Sequence, residues 1–377
     1  MAQREKKTLI HKVLDTIKKY HLIETGDKLV LGVSGGPDSI TMLDILLKIK
    51  QEKQIAFDMV VAHVNHMIRE EANEDEEFVK KYCMKNNIQF FSKSIDVQKI
   101  ANTNKISTEE AGRDVRYAFF NEVLEKINGT KIAIAHNKND KVETIIMNAL
   151  RGCGLPGLKG IEPVREQYIR PLIECDRKEI EDYCEENHIE PRMDKTNFEN
   201  IYTRNKIRNV LIPYIQQEFN SNIIATIDRL SNLVTEQESY IQKQVEKVYE
   251  DIVLEEKINV YSIRKNISLK QVTETTDKQV EKQVTEITTE QDKKDICDKA
   301  YIILNLKEFN KQEKVIKSNL ILYTITRLFH TTQGIEKIHI EDIIKLCANN
   351  IGNKFLMPNK HLKVFIKNGK IKFSKEI

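Results

Sequence analysis

No apolar run in the 377 residues reaches the length of a membrane span, and the opening stretch MAQREKKTLIHKVL has no apolar core of a secretory signal. The expectation is a soluble, cytoplasmic protein. Cysteine is sparse and scattered: positions 83, 153, 175, 184, 297 and 347 form no C-x-x-C and no Cys/His spacing that would bind a metal. A disulfide framework and a zinc ribbon are thereby excluded, and free thiols in a reducing compartment fit best. An excess of one charge is missing as well. The formal net charge is +3 although 31% of residues are charged, so any contact with a polyanion must be a local patch. Glycine and proline are few, 13 and 7, which makes their meeting at Gly35-Gly36-Pro37 conspicuous.

That meeting lies in Lys28–Ser39, KLVLGVSGGPDS. Lys28 to Val33 reads as a short buried strand, Ser34 to Asp38 as a turn, and Ser39 to Leu47 as the helix that follows. Gly35 and Gly36 can take positive φ and turn backbone N–H groups towards a ligand, next to the positive end of a helix. Such a site binds anions. Ser34 and Ser39 add hydroxyl groups, and Asp38 would repel phosphate unless a divalent cation bridged the two. A G-x-x-x-x-G-K-[ST] loop needs a lysine that is absent here, which disfavours kinase and GTPase chemistry.

Taken in order, the chain alternates strands and helices. Glu5 to Tyr20 reads as an amphipathic helix, with Leu9, Val13 and Ile17 on one stripe. Strands are expected at Phe57–Val64, Ile88–Ile95 and Lys131–Ala135, and helices after the acidic run Glu70–Glu77, after Ser107 or Thr108, and from about Asp140. The pattern argues for an α/β, Rossmann-like parallel sheet with helices on both faces, and ligands at the carboxyl ends of its strands. His136, Asn139, Asp140 and Glu143 then share a crevice with the loop. Asp140 and Glu143 also read as a capping box, which catalysis would not preclude. Arg113 and Arg116 could clamp phosphates or pair with Glu109 and Glu110. Arg151 to Gly160 is expected as a mobile loop, Ile169–Leu172 as an edge strand and Arg177 to Asn187 as a helix. Lys195, Arg204, Lys206 and Arg208 suit phosphate and sugar contacts, or a solvated helix face.

A first domain of residues 1–216 should be followed by a smaller helical or α+β domain, 217–377, reached through a long polar helix over Glu218–Leu254. Lys270 to Lys294 is low complexity, KQVTETT recurring as KQVTEIT, and reads as a solvated insertion. Helices are expected at Leu320–Phe329 and His339–Leu346. The C-terminal KVFIKNGKIKF reads as a hairpin turning at Asn368-Gly369, with Lys360, Lys363, Lys367, Lys370 and Lys372 offering a basic face to a nucleic-acid backbone.

The loop SGGPDS resembles the PP-loop of the N-type ATP pyrophosphatases. Within that class SGGPDSITMLDIL, AHVNHMIREEANEDEEFV, AGRDVRYAFF, AHNKNDKVET, RGCGLPGLKGI, IRPL, DKTN and RNKIRNVLIP, spread over Lys28 to Pro213, resemble the tRNA(Ile)-lysidine synthases. The resemblance implies an ATP- and Mg²⁺-dependent ligase. It adenylates C2 of the wobble cytidine in the CAU anticodon of tRNA(Ile), and the ε-amine of L-lysine then displaces AMP. By that implication Ser34, Gly35, Gly36, Pro37, Asp38 and Ser39 hold the ATP phosphates, with Asp38 on Mg²⁺, and His63 and Asn65 lie beside the nucleotide. Arg113 faces the phosphates, and Asp140 and Glu143 bind or deprotonate the lysine amine beside His136. Lys195, Arg204, Lys206 and Arg208 are expected on the tRNA.

The chain departs from the family pattern at Asn137 and Asn139, where a histidine and an aspartate are usual, and at Cys153, where threonine is. The further C-terminal domain of longer members is not expected here, and a homodimer is left open. Two other readings remain: a PP-loop tRNA thiolation enzyme, which would need Cys153 to act alone, and a non-catalytic nucleotide- or RNA-binding protein, in which Asp140 and Glu143 only cap a helix.

Overall fold

Alternating apolar runs build a six-stranded sheet in the order β3-β2-β1-β4-β6-β5. Its strands are β1 (Lys28–Gly32), β2 (Asp58–Asn65), β3 (Gln89–Ser94), β4 (Lys131–Ile134), β5 (Val164–Arg165) and β6 (Tyr168–Ile169). The computed structural model describes residues 8–52, 54–67, 72–192, 203–258, 300–349 and 354–376; Lys195 and the insertion at 270–294 lie outside the described residues. All pairings are parallel except β5 with β6.

Side chains alternate across β1. Leu29 and Leu31 enter one core with α1 (Leu9–Lys19), α2 (Pro37–Gln51), α3 (Ala72–Lys85) and α7 (Arg177–Glu186). Val30 enters the other with α5 (Thr108–Lys126), whose Val115, Phe119, Phe120 and Val123 cover the opposite face. A Cβ at Gly32 would lie 2.6 Å from the Phe120 ring, so only glycine admits the helix there. The expected parallel sheet with helices on both faces is what forms.

Several boundaries differ from expectation. α2 starts at Pro37 rather than Ser39, because proline's missing N–H suits the first helical position; Asp38 and Ser39 therefore belong to the first helical turn. Ile169 is not in an edge strand: β6 lies between β4 and the short β5, which pairs back on it as a hairpin. α4 (Val97–Asn104), capped by Asp96, has no counterpart in the expected pattern. The loop after α6 (Lys138–Leu150) contains a 3₁₀ turn, Leu155–Lys159.

Past the sheet, α8 (Thr203–Lys206) and α9 (Ile212–Glu218) are joined through a π-turn, Ile207–Leu211. Pro213 lacks the N–H of a regular turn and its ring crowds the preceding carbonyls, and the wider turn accommodates it. α10 (Ile223–Ile252) follows. Packing divides the chain into Met1–Thr235 and Glu236–Ile377, inside α10 rather than near residue 216. The start of α10 stays with the first unit because Lys141 of α6 donates to Asp228 and Asn232, and Ser231 to the Lys159 carbonyl.

In the second unit β7 (Val253–Lys257), β8 (Tyr301–Asn305), β9 (Lys354–Asn359), β10 (Leu362–Lys367) and β11 (Lys370–Lys375) form an antiparallel sheet in the order β7-β8-β11-β10-β9. Ile302, Leu304, Leu362, Val364, Ile366, Ile371 and Phe373 are buried in one core with α11 (Leu306–Lys311), α12 (Lys314–Phe329) and α13 (Lys337–Ala348). β10 and β11 turn at Asn368-Gly369, both with positive φ, as the Asn-Gly pair requires. The other face presents Lys363, Lys367, Lys370 and Lys372 with Phe355, Phe365 and Tyr301; Lys372 Nζ lies 4.2 Å from the Tyr301 ring centre and Lys363 Nζ 5.0 Å from that of Phe355.

Candidate active site

The chain runs outward from β1 to β3 and returns to β4 on the other side of β1, so the strand order reverses between β1 and β4. Loops leaving adjacent strands in opposite directions open a crevice there. The segment 34–39 leaves β1 and His136-Asn137 leave β4, which brings the two together.

The first loop is held from within. Ser39 Oγ accepts from the N–H groups of Ser34 (3.1 Å) and Gly35 (3.2 Å) and donates to the Gly36 carbonyl (3.0 Å). Gly35 has φ +94°, a conformation that glycine alone adopts without strain. Its carbonyl accepts from the Arg192 N–H at 3.0 Å. Across the same planar peptide the Gly36 N–H therefore faces the other way. The Arg192 guanidinium bonds Asp75 (3.2 Å) and Glu74 at the start of α3, bracing this arrangement. His63 Nδ1–H donates to the Val33 carbonyl at 2.8 Å; burial pushes its pKa down, which leaves a neutral ring with Nε2 as acceptor. Asn65 is committed to shaping the turn after β2: its amide donates to Asn73 (2.9 Å) and Glu76 (3.3 Å) and accepts from the Met67 N–H (3.0 Å).

Asp38 receives a hydrogen bond from Asn137 Nδ2 at 2.9 Å. Burial first and the neighbouring Asp140 second push its pKa up to about 6, while Arg177, the Asn137 N–H and Arg208 pull the other way. Asn137, wholly buried, also caps α6: its side-chain oxygen accepts from the Asp140 N–H (3.0 Å), and its own N–H donates to Asp140 Oδ2 (3.1 Å). The capping box thus joins Asn137 to Asp140, not Asp140 to Glu143 as expected, because Glu143 is drawn inward by charge. Its carboxylate, 1% exposed, accepts from Arg204 Nε (3.0 Å) and from Arg208 Nε (2.6 Å) and Nη2 (2.7 Å). Asp140 Oδ1 accepts from the same two guanidiniums at 3.3 and 2.9 Å. Burial works to raise the Asp140 pKa, but Arg204 and Arg208 outweigh it and hold the carboxyl below the usual range.

His136 Nδ1 accepts from Arg170 Nε at 3.2 Å, which places the remaining ring hydrogen on Nε2. Burial pushes its pKa well down; Asp140 opposes this, and Arg170, Arg204 and Arg113 add to it. The ring is a neutral donor. Arg113 is exposed on α5 with its guanidinium 5.2 Å from the Tyr117 ring centre, and Arg116 bonds the Gly112 carbonyl of its own helix. Neither pairs with Glu109 or Glu110 among the described residues. Lys206 is exposed on α8.

The structure therefore unites Asp38, His136, Asp140 and Glu143 and adds Arg204 and Arg208, for which the sequence suggests RNA instead. Asn137, Arg170, Arg177 and Arg192 join them without a place among the expected site residues. Arg170 ends a strand beside β4, a position that strand-end reasoning can find; Arg192 has no local signal. Among the described residues no three metal-binding side chains cluster. A cation here would be held by Asp38 and by substrate phosphates, the usual manner for Mg²⁺, whose few protein donors the site fits.

A family model described as a PP-loop domain matches residues 5–215. The chain is 40% identical over 354 residues to the tRNA(Ile)-lysidine synthase of Clostridium tetani, covering 93% of this chain and 66% of that protein. To that of Clostridium acetobutylicum it is 42% identical, covering 93% and 67%, and to that of Clostridioides difficile 38% identical, covering 98% and 71%. It thus spans about two thirds of the length of these curated relatives. With the PP-loop on β1 and the carboxylates on α6 at the reversal of strand order, the chain belongs to the tRNA(Ile)-lysidine synthase family of PP-loop proteins.

Proposed function

We propose that the chain uses ATP to adenylate the C2 carbonyl oxygen of the wobble cytidine in the CAU anticodon of tRNA(Ile), after which the ε-amine of L-lysine displaces AMP to give lysidine. Pyrophosphate is the other product, and decoding changes from AUG to AUA. The observation that carries this reading is the 2.9 Å bond from Asn137 to Asp38, which brings a phosphate-binding loop and a carboxylate pair suited to an amine into one crevice.

In this scheme the Gly36 N–H and the Ser34 hydroxyl meet phosphate oxygens, with Gly35, Pro37 and Ser39 shaping the loop that presents them. Asp38 would hold Mg²⁺, which would supply charge neutralisation at the phosphates. His63 offers Nε2 beside the nucleotide, Asn65 shapes that wall, and Arg113 approaches the phosphates from α5. His136 donates through Nε2, and Asp140 and Glu143 receive the lysine amine. Lys195, Lys206 and the lysine face of the second unit contact the tRNA. Sulfur transfer is not favoured: among the described residues Cys83, Cys175, Cys184 and Cys347 are buried, which leaves the half-buried Cys153 to carry sulfur without a second accessible thiol.

The test is incorporation of labelled lysine into a tRNA(Ile) transcript bearing CAU, with a tRNA(Met) transcript of the same anticodon as control. Lysine should enter only the first, and Asp38→Ala should reduce the rate by about 100-fold or more. AMP release without lysine incorporation would keep the pyrophosphatase reading and discard lysidine formation.

A further inference from the structure

Asn137 stands where the family pattern has a histidine, and its side chain does two things at once. Its oxygen caps α6 at the Asp140 N–H, and its Nδ2 donates to Asp38 Oδ1. Its backbone N–H completes the circuit at Asp140 Oδ2. No other side chain among the described residues donates a hydrogen bond to Asp38, and the amide is wholly buried, so water cannot replace that donor cheaply.

We propose that Asn137 is a positioning residue that holds the Asp38 carboxylate at its working separation from Asp140, so that the phosphate-binding and amine-binding halves of the crevice are set by one side chain. The chemistry suits an amide or an imidazole, in which one atom accepts from the Asp140 N–H while a separate atom, farther along, donates to the Asp38 carboxylate. An amide has its Nδ2 and its oxygen in one rigid plane, and tying the oxygen to the N-terminus of α6 fixes the direction in which the N–H points. With Oδ1 engaged, Oδ2 is the oxygen left to face a cation and the phosphates. The inference rests on the assignment of Asp38 to Mg²⁺ made above.

Three variants separate this role from capping. Asn137→Asp keeps an excellent cap oxygen but has no N–H for Asp38 and adds a repelling carboxylate. Asn137→Ser keeps a comparable cap, but its shorter side chain, with the hydroxyl tied to the helix, no longer reaches Asp38 as a donor. Asn137→His can restore both a donor and an acceptor. ATP binding is measured by calorimetry over a range of Mg²⁺ concentrations, without tRNA or lysine, alongside thermal unfolding of the ligand-free protein.

The expected result is that the Mg²⁺ concentration for half-maximal enhancement of ATP binding rises about tenfold in Asn137→Ser and further in Asn137→Asp, the loss associated with one hydrogen bond to a charged group. Metal-free ATP binding of Asn137→Ser should stay within about threefold, and Asn137→His should recover most of the response. Folded Ser and Asp variants with the wild-type Mg²⁺ midpoint would overturn the role. If the Ser variant unfolds, the Asp and His variants decide by the same comparison. Wild-type protein whose ATP binding ignores Mg²⁺ would instead overturn the metal assignment of Asp38, and the positioning role with it.

Discussion

Asp140 and Glu143 face two guanidinium groups, so the formal charge of these four side chains sums to zero. A lysine ammonium entering this cluster would gain little net attraction, whereas a neutral amine, the form that can attack an adenylated carbon, loses nothing. On the proposed lysine chemistry, the arginines would tune the amine rather than merely fill space. In Arg208→Met the cluster carries one net negative charge. Lysine should then bind more tightly while its bound amine is more firmly protonated: KM for lysine falls severalfold, kcat at neutral pH falls, and the rising limb of kcat against pH moves up by about one unit, about 1.4 kcal/mol. Kinetics over a pH series measure all three. Should the variant raise KM for tRNA and leave lysine unchanged, Arg208 would serve the RNA instead. The carboxylates were legible in the sequence from strand-end placement, but their partners were not: Arg208 bonds Glu143 across 65 positions, and no local pattern encodes that distance. The role of Asn137 was hidden differently, by looking like a lost ligand.

At the level of elements, strands and helices were readable wherever an apolar run or stripe had one clear period, as in β1, β2 and α5. The start of α6 was ambiguous because NKNDKVE offers the same three-residue capping spacing in two registers, Asn137 with Asp140 and Asp140 with Glu143. Tertiary charge settled the register by pulling Glu143 inward. The π-turn before Pro213 was equally unreadable, since IRNVLIP has an ordinary helical pattern. α6 is also fixed at a second place. Lys141, 8% exposed, donates to Asp228 at 2.9 Å and Asn232 at 3.1 Å on α10. Lys141→Met should strand a partly buried carboxylate and cost about 1–3 kcal/mol. For a unit of this size that is a fall of roughly 2–10 °C in its thermal midpoint. The double variant Lys141→Met/Asp228→Leu should recover part of the loss, and a double variant no better than the single would show that the ion pair is not the cause.

For the molecule as a whole, the sheet and the location of its crevice followed from βα alternation, because strand order and handedness leave few arrangements. The second unit was less legible. β7 and β8 pair across residues 259–299, and the strand order β7-β8-β11-β10-β9 depends on pairings that no short stretch contains. The hairpin at Asn368-Gly369 was visible, and with it the basic face. On that face alternate residues of β10 and β11 bring Lys363 and Lys372 to the side away from the apolar core, each beside an aromatic ring. Cations at the phosphates and rings that can meet exposed bases suit RNA. If lysines there neutralise tRNA phosphates, replacing them removes counterion release and little else. Lys363→Gln/Lys372→Gln should weaken tRNA binding and lower the slope of log affinity against log salt by about 2, one for each phosphate left without its lysine. ATP binding should not change, because the nucleotide groups belong to the other unit. Nor should the thermal midpoint move far, since Val364, Ile371 and Phe373 fill the core from the opposite face. An unaltered salt slope would assign tRNA binding to other surfaces and leave this face as a solvated sheet.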